Sequence, residues 1–277
     1  MKNRLILFVL VFFVKTITAQ DTKSFPEKEA TVFIGPSYSN IKSNSLSADP
    51  YASTKGSLWF NLGFDYCSYR SRNFGFIFGM EYSKYNNVTS YKGAFRSDTK
   101  SIDIDGDAYY AVSEANYTDS RIVNSLDVPI GLRLQAPISE QSNFFVDFGL
   151  RVNLIINAKI TQKGTLNKKG AYITNYDNVF IYLEDEPYYG YTNTTYSSDI
   201  DLPVNRVNIG YFLGIGMRAK LNENYFLVIN PCYMNGINDI SKKDDAAQYV
   251  NVFGEKFAHQ KFTLTQFVLR VGIGFEM

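Results

Sequence analysis

Apolar and polar positions alternate along eight segments of this chain, and the intervals between them run long, short, long, short, long, short, long. The segments are approximately Ala30–Ser39, Gly56–Arg70, Phe74–Ser90, Arg121–Gln135, Asn143–Lys163, Arg206–Lys220, Tyr225–Asn238 and Lys261–Met277. Successive side chains of a strand point to opposite faces, so a period of two separates an apolar face from a mixed one. In the second segment Leu58, Phe60, Leu62, Phe64 and Tyr66 share one face, against Trp59, Asn61, Gly63, Asp65, Cys67 and Tyr69. The fourth sets Leu126, Val128, Ile130, Leu132 and Leu134 against Asp127, Pro129, Gly131, Arg133 and Gln135. A soluble β-sandwich also alternates, with its apolar side inward. Two features favour the inverse arrangement. Sandwich strands average roughly five or six residues, whereas these mostly exceed ten, the length that crosses a bilayer at a tilt. Short turns on one side and long loops on the other are the rhythm of outer-membrane barrels. The pattern predicts an all-β fold, an eight-stranded antiparallel up-and-down transmembrane β-barrel with long extracellular loops.

The short turns fall at Ser71-Arg72-Asn73, Ala136 to Ser142 and Asn222-Glu223-Asn224. The long loops are expected at Asn40–Lys55, Tyr91–Ser120, Gly164–Asn205 and Asp239–Gln260, rich in Asn, Ser, Thr, Tyr, Asp and Lys as solvated loops are. Within the third, Ala171–Tyr176 and Val179–Glu184 flank Asp177-Asn178 as a short hairpin, a cap rather than a further pair of spanning strands. The first and seventh strands are the least regular, because Pro36 and Pro231 each delete a ladder donor.

The start of the chain sets its address. Met1-Lys2-Asn3-Arg4 precedes an apolar run from Leu5 to Val14 and a small-residue exit at Thr18-Ala19-Gln20, the pattern of a secretory signal peptide over residues 1–19. The run falls short of the roughly 20 residues of a spanning helix. Residues 20–277 then form the barrel domain, with outer-membrane lipid as its first partner. Removing Lys2, Arg4 and Lys15 leaves 25 basic against 27 acidic residues, a net charge of −2. That balance argues against nucleic acid as a partner. Cys67 and Cys232, the two cysteines, permit a disulfide after export without requiring one.

The Ala19-Gln20 exit, the segment Leu126-Asp127-Val128-Pro129-Ile130-Gly131-Leu132-Arg133-Leu134 and the terminal Val271-Gly272-Ile273-Gly274-Phe275 together resemble the outer-membrane β-barrel family of Bacteroidota, which includes the PorT-like proteins. The resemblance spans the segment after the leader and implies an outer-membrane barrel. It does not by itself imply a secretion role.

Parity turns Asp65, Glu81, Asp127 and Asp147 toward Arg133, Arg151, Arg218 and Arg270 across one interior. The fourth and fifth strands are antiparallel neighbours, which predicts Asp127 near Arg151 and Arg133 near Asp147. A barrel of eight strands is just wide enough for side chains to fill, and opposed charges buried there must pair. The expectation is a plugged interior and a non-enzymatic, structural or surface-interaction role. A narrow channel and a subunit of a larger secretion or uptake assembly are the alternatives. Asp103, Asp105, Asp107 and Glu114 match positions one, three, five and twelve of a calcium loop. Ala108 stands at the sixth position, where the loop needs Gly, so an acidic solvated turn is the competing reading and no metal or cofactor is assigned. His259 is the sole histidine, with Ser241, Asp244 and Asp245 in the same loop, and no enzyme is expected from them. The tip Glu184-Asp185-Glu186-Pro187-Tyr188-Tyr189-Gly190-Tyr191 suits contact with a protein or glycan, since tyrosines offer amphipathic area at low entropy cost.

Overall fold

Ten strands are defined in the computed structural model, which describes residues 28–43, 52–173, 180–183, 186–189, 193–242 and 261–277. They are β1 (Lys28–Ser43), β2 (Ala52–Ser71), β3 (Phe74–Ile102), β4 (Ala108–Pro137), β5 (Ser142–Ile173), β6 (Phe180–Leu183), β7 (Asn193–Asp201), β8 (Val207–Lys220), β9 (Tyr225–Gly236) and β10 (Phe262–Glu276). All belong to one sheet in the order β4-β3-β2-β1-β10-β9-β8-β5-β6, with β7 on β5 and a further ladder between β4 and β5. The first and last strands pair from Glu29↔Glu276 to Ser43↔Phe262, and the Met277 N–H donates to the Lys28 carbonyl at 2.9 Å.

The three short turns fall where the sequence places them. Ile138 N–H donates to the Ser142 carbonyl at 2.9 Å, and the Asn222 carboxamide accepts from Asn224 N–H (3.0 Å) and Tyr225 N–H (2.8 Å), an Asx-type closure. Residues 1–27, with the leader expected there, lie outside the described residues, as do residues 174–179 of the expected cap hairpin. The described part of that hairpin pairs Gly170↔Leu183 through Ile173↔Phe180.

Two expected loops are corrected to strand. The ladder of β3 with β4 continues through Tyr91↔Tyr117 to Ile102↔Ala108, so most of Tyr91–Ser120 is a hairpin around Asp103–Asp107. Similarly, β7 runs along β5 from Lys159↔Asp201 to Asn167↔Asn193 within Gly164–Asn205. The physical reason is that a ladder in water needs no apolar face. Tyr, Thr and Val support it through cross-strand contacts such as the stacked Tyr109–Tyr172 pair, centroids 5.5 Å apart. β7 and β8 are two stretches of one course beside β5, since β8 takes up the pairing at Leu154↔Val207.

The prolines are absorbed locally. The β1–β10 ladder passes from Ile34↔Val271 to Ser37↔Val268 without pairs at Gly35 and Pro36, and Pro231 pairs with Leu269 on the other side of β10. Gly35 is packed so closely there that a Cβ would collide with the Leu269 carbonyl, a close backbone approach that glycine alone permits.

The sheet is inside out relative to a soluble core. Phe60 is 63% exposed, Ile34 56% and Phe76 49%, whereas Asp65 is 6%, Arg151 2% and Asp127 0% exposed. The buried polar face is covered by side chains of the same sheet, as Asn61 of β2 bonding Gln266 of β10 and Arg133 of β4 bonding Glu29 of β1 make plain.

Candidate functional site

The buried face builds a layered ion network from the register upward. Antiparallel pairing sets Arg133 opposite Asp147, and the guanidinium engages that carboxylate in a fork, Nε–Oδ1 2.8 Å and Nη2–Oδ2 2.9 Å. Arg133 also pairs with Glu29, whose second oxygen accepts from Arg218 Nη1 at 2.8 Å, while the Tyr69 hydroxyl donates to Glu29 at 2.8 Å. Arg218 reaches Glu276 as well.

The next layer lies further from the short turns. Arg270 donates to Glu81 Oε2 (2.5 Å) and Asp65 Oδ2 (3.4 Å), and Arg151 engages Asp127 and the Ser83 hydroxyl (2.8 Å). The Asn61 carboxamide joins Glu81 (2.6 Å), Ser83 (2.9 Å) and Gln266 (3.1 Å). All four of these arginines also lie against rings, Arg133 over Phe145 at 4.1 Å, Arg218 over Phe226 at 4.2 Å, Arg270 over Phe33 at 4.6 Å and Arg151 over Tyr85 at 5.9 Å. Inward glycines make room for that packing, since a Cβ at Gly216 would enter the Phe145 ring and one at Gly274 the Phe226 ring. Above the second layer an apolar cluster of Ile41, Tyr85, Val123, Ile155, Ala158, Val204, Ile240 and Leu264 closes the same space.

All eight charged residues expected to face inward are buried and in contact, with Asp127 on Arg151 and Arg133 on Asp147. Sequence reasoning missed Glu29, because the first strand was begun one residue late; it shares the parity of Thr31 and Ser37, both buried. It also missed a third buried group at the upper ends of the expected strands, where Asp119 alone falls in an expected loop. There Arg121 Nη2 contacts Asp119 at 3.1 Å, Arg121 Nη1 donates to the Thr89 hydroxyl at 3.1 Å, and Gln162 donates to Asp119 at 3.0 Å. Stepping by two from Val123 through Arg121 to Asp119 is the signal that finds it.

Cys67 and Cys232 are free buried thiols in separate clusters, the first with Tyr69 and Ile77, the second with Phe212, Met234 and Val268. His259, Asp244 and Asp245 lie outside the described residues, and the Ser241 hydroxyl donates to Asp239 at 2.8 Å.

The four residues of the calcium pattern are not drawn to one point. Asp103 folds the hairpin turn, accepting from Asp105 N–H (3.0 Å) and Asp107 N–H (2.8 Å), with Gly106 at φ 87°. Glu114 stands up β4 and pairs with Lys169 at 3.0 Å. Among the described residues no group of three His, Cys, Asp or Glu side chains converges as a metal centre. The turn instead docks on tyrosines, Tyr172 donating to Asp103 at 2.8 Å and Tyr189 to Asp105 at 2.6 Å. Desolvation raises the Asp103 carboxyl, but hydrogen bonds from Asp107, Tyr172, Asp105 and Gly106 together outweigh it and hold it below the usual carboxylate range. The Tyr189 hydroxyl, by its bond to Asp105, is pushed up to about 12. Tyr188, Ile102 and Ile104 stand exposed around this tip.

The class these features define is an all-β, strand-dominated fold with apolar side chains outside and an ion network within. No family model matches the chain, and no curated protein matches it. Solved structures do share its strand-rich build. Neisserial surface protein A is 8% identical over 92% of this chain and 100% of that one, TM-score 0.37. The outer membrane protein OprG of Pseudomonas aeruginosa is 11% identical over 92% and 98%, TM-score 0.35. Ail, the attachment invasion locus protein of Yersinia pestis, in complex with the heparin analogue sucrose octasulfate, is 14% identical over 90% and 99%, TM-score 0.34. At such scores the burial pattern, not the likeness, carries the functional reading.

Proposed function

We propose that the chain is a non-enzymatic outer-membrane β-barrel whose interior is plugged by its own charges and whose projecting sheet meets partners outside the cell. The observation that carries this is the inversion of burial. On β5 the outward residues Phe144, Val146, Phe148, Leu150, Val152 and Leu154 are apolar and exposed or half-buried. Ten steps of about 3.3 Å make about 33 Å along the strand, or about 25 Å of height at a tilt near 40°, the apolar band of an outer-membrane barrel. In water such a band is an aggregation surface; in lipid it is the solvated one. The path from β4 to β5 with its β4–β5 ladder supports closure of an eight-stranded ring made of β1–β5 and β8–β10, with no spanning edge left unpaired. A lumen filled by paired charge and sealed by apolar side chains supports a structural rather than conducting barrel.

The test is mobility on a gel with and without boiling, on protein folded in detergent. A compact band that shifts on heating is the expected result, whereas a protein that is folded, monomeric and soluble without detergent overturns the reading. A second reading, a subunit of a larger outer-membrane assembly of the PorT-like kind, is favoured by exposed Ile102, Ile104 and Tyr188 at the tip. Purification in mild detergent with a stoichiometric protein partner would decide for it.

A further inference from the structure

The shared course of β7 and β8 breaks at Leu202–Arg206. Leu202 N–H donates to the Ala158 carbonyl at 2.9 Å, and the Arg206 carbonyl accepts from Ile155 N–H at 2.8 Å. Between these ties the chain swings off β5 through Pro203, which has no N–H to offer the ladder. It is held instead by the segment beyond β9, with Asn205 N–H on the Ile240 carbonyl (2.8 Å) and Lys242 N–H on the Pro203 carbonyl (3.2 Å). The swing leaves a cavity of about 190 Å³ against β5, lined among others by Ile156, Asn157, Asp201, Arg206 and Lys242.

Its position and charge are what matter. Val204 and Ala158 form an apolar floor shared with the cluster that seals the interior. Leu154 and Val207 pair just beneath, and Ile156 of β5 and Val207 of β8 are the last exposed apolar residues of the band on their strands. Arg206 is fixed at the rim by Nη1 bonds to the carbonyls of Ile155 (3.3 Å) and Ile156 (2.6 Å), which leaves Nε and Nη2 for a ligand. Neither Arg206 nor Lys242 forms an ion pair with a described residue, and Asp201 faces Lys159 directly across the ladder. Two cations over an apolar step, at the height where acyl chains give way to headgroups, form a basic pocket suited to a lipid phosphate.

We propose that this notch binds the phosphate of an anionic lipid headgroup, with Arg206 and Lys242 on the phosphate and Leu154, Ile156 and Val207 along the acyl chain. The proposal rests on the membrane-spanning reading above. Native mass spectrometry of the full chain in non-ionic detergent tests it, with phosphatidic acid, phosphatidylcholine and inorganic phosphate as separate titrants. Phosphatidic acid should be retained and phosphatidylcholine should not. Removing one cation by Lys242→Gln should weaken retention about fivefold, and the Arg206→Gln/Lys242→Gln pair more. Equal retention in wild type and variants overturns the site, and displacement by inorganic phosphate at comparable concentration overturns the lipid as its occupant. The heat-modifiable shift of each sample separates the failures. A variant or wild type that shifts but selects no lipid sinks this proposal alone, and wild type that shows no shift sinks the spanning reading with it.

Discussion

The lower and upper halves of β3, β4 and β5 share the same backbone ladders, shifted in register only at Asn124/Ser125 and Arg96/Lys100, yet obey different side-chain rules. Below Leu154 of β5, outward residues are apolar, and the charges that face inward are buried and paired. Above it, the outward residues turn to Tyr, Ser, Thr, Asn and Lys while Val112, Ile160 and Leu166 stay buried, and contacts such as Glu114–Lys169 and Tyr109–Tyr172 hold the strands. On the membrane-spanning reading proposed above, the difference lies in the solvent, not in the hydrogen bonding. A ladder between lipid and a packed interior must sort its side chains by face; a ladder in water is free of that demand. Alternation therefore reports what surrounds a strand rather than whether a strand is there.

The strongest way to break this comparison is to remove one charge from an ion pair in each half. Arg151→Ala leaves Asp127 buried without its cation, which should cost about 3–5 kcal/mol. Glu114→Ala in the upper half removes a pair whose acid is 44% exposed, and should cost no more than about 1 kcal/mol. Equilibrium unfolding by urea in detergent or vesicles measures both. Equal costs would mean that the lower half is no more desolvated than the upper.

A charge added to each outer surface gives the next largest effect. Leu150 is 57% exposed at mid-band and Ile102 74% exposed at the tip, so exposure alone predicts similar tolerance. Lipid predicts otherwise: Leu150→Arg should lose about 2–4 kcal/mol, while Ile102→Arg should stay within about 0.5 kcal/mol. Folding yield into vesicles and the unfolding midpoint report the contrast. Matched losses would place both residues in the same medium.

The same contrast explains what the sequence disclosed. The parity of β2 separated Phe60 from Asp65 correctly, and the opposition of Arg133 to Asp147 followed from register alone, because both faces there are constrained. Glu29 was hidden because the expected first strand began at Ala30, one residue beyond it, although the alternation runs unbroken through Pro36. Asp119 and Arg121 sit where the outer face has already turned polar, so the apolar half of the signal is gone although the inward half persists. The excursion at Leu202–Arg206 has no periodicity at all, being defined by partners distant in sequence, Ala158 and Ile240. Composition marked the Asp103–Asp107 turn as acidic and left its tyrosine partners unseen, since Tyr172 and Tyr189 reach it only through the fold.

The smallest expected effect concerns that turn and sharpens the comparison at its watery end. Asp103 is held below the usual carboxylate range, so its contribution is complete above the unfolded value and is lost as pH falls through the lower folded one. The amides of Asp105 and Asp107, which donate to its carboxylate, should therefore lose hydrogen-exchange protection, corrected for intrinsic rate, only on acidification below the ordinary aspartate range. Asp103→Asn keeps an acceptor oxygen but no titration, so its protection should be flat across the same span. The turn is open to solvent and screened by salt, so the change should stay local and leave the unfolding midpoint of the whole protein unmoved. A midpoint that tracks the Asp103 titration would instead couple the tip to the buried network, and the two halves would then be a single cooperative unit.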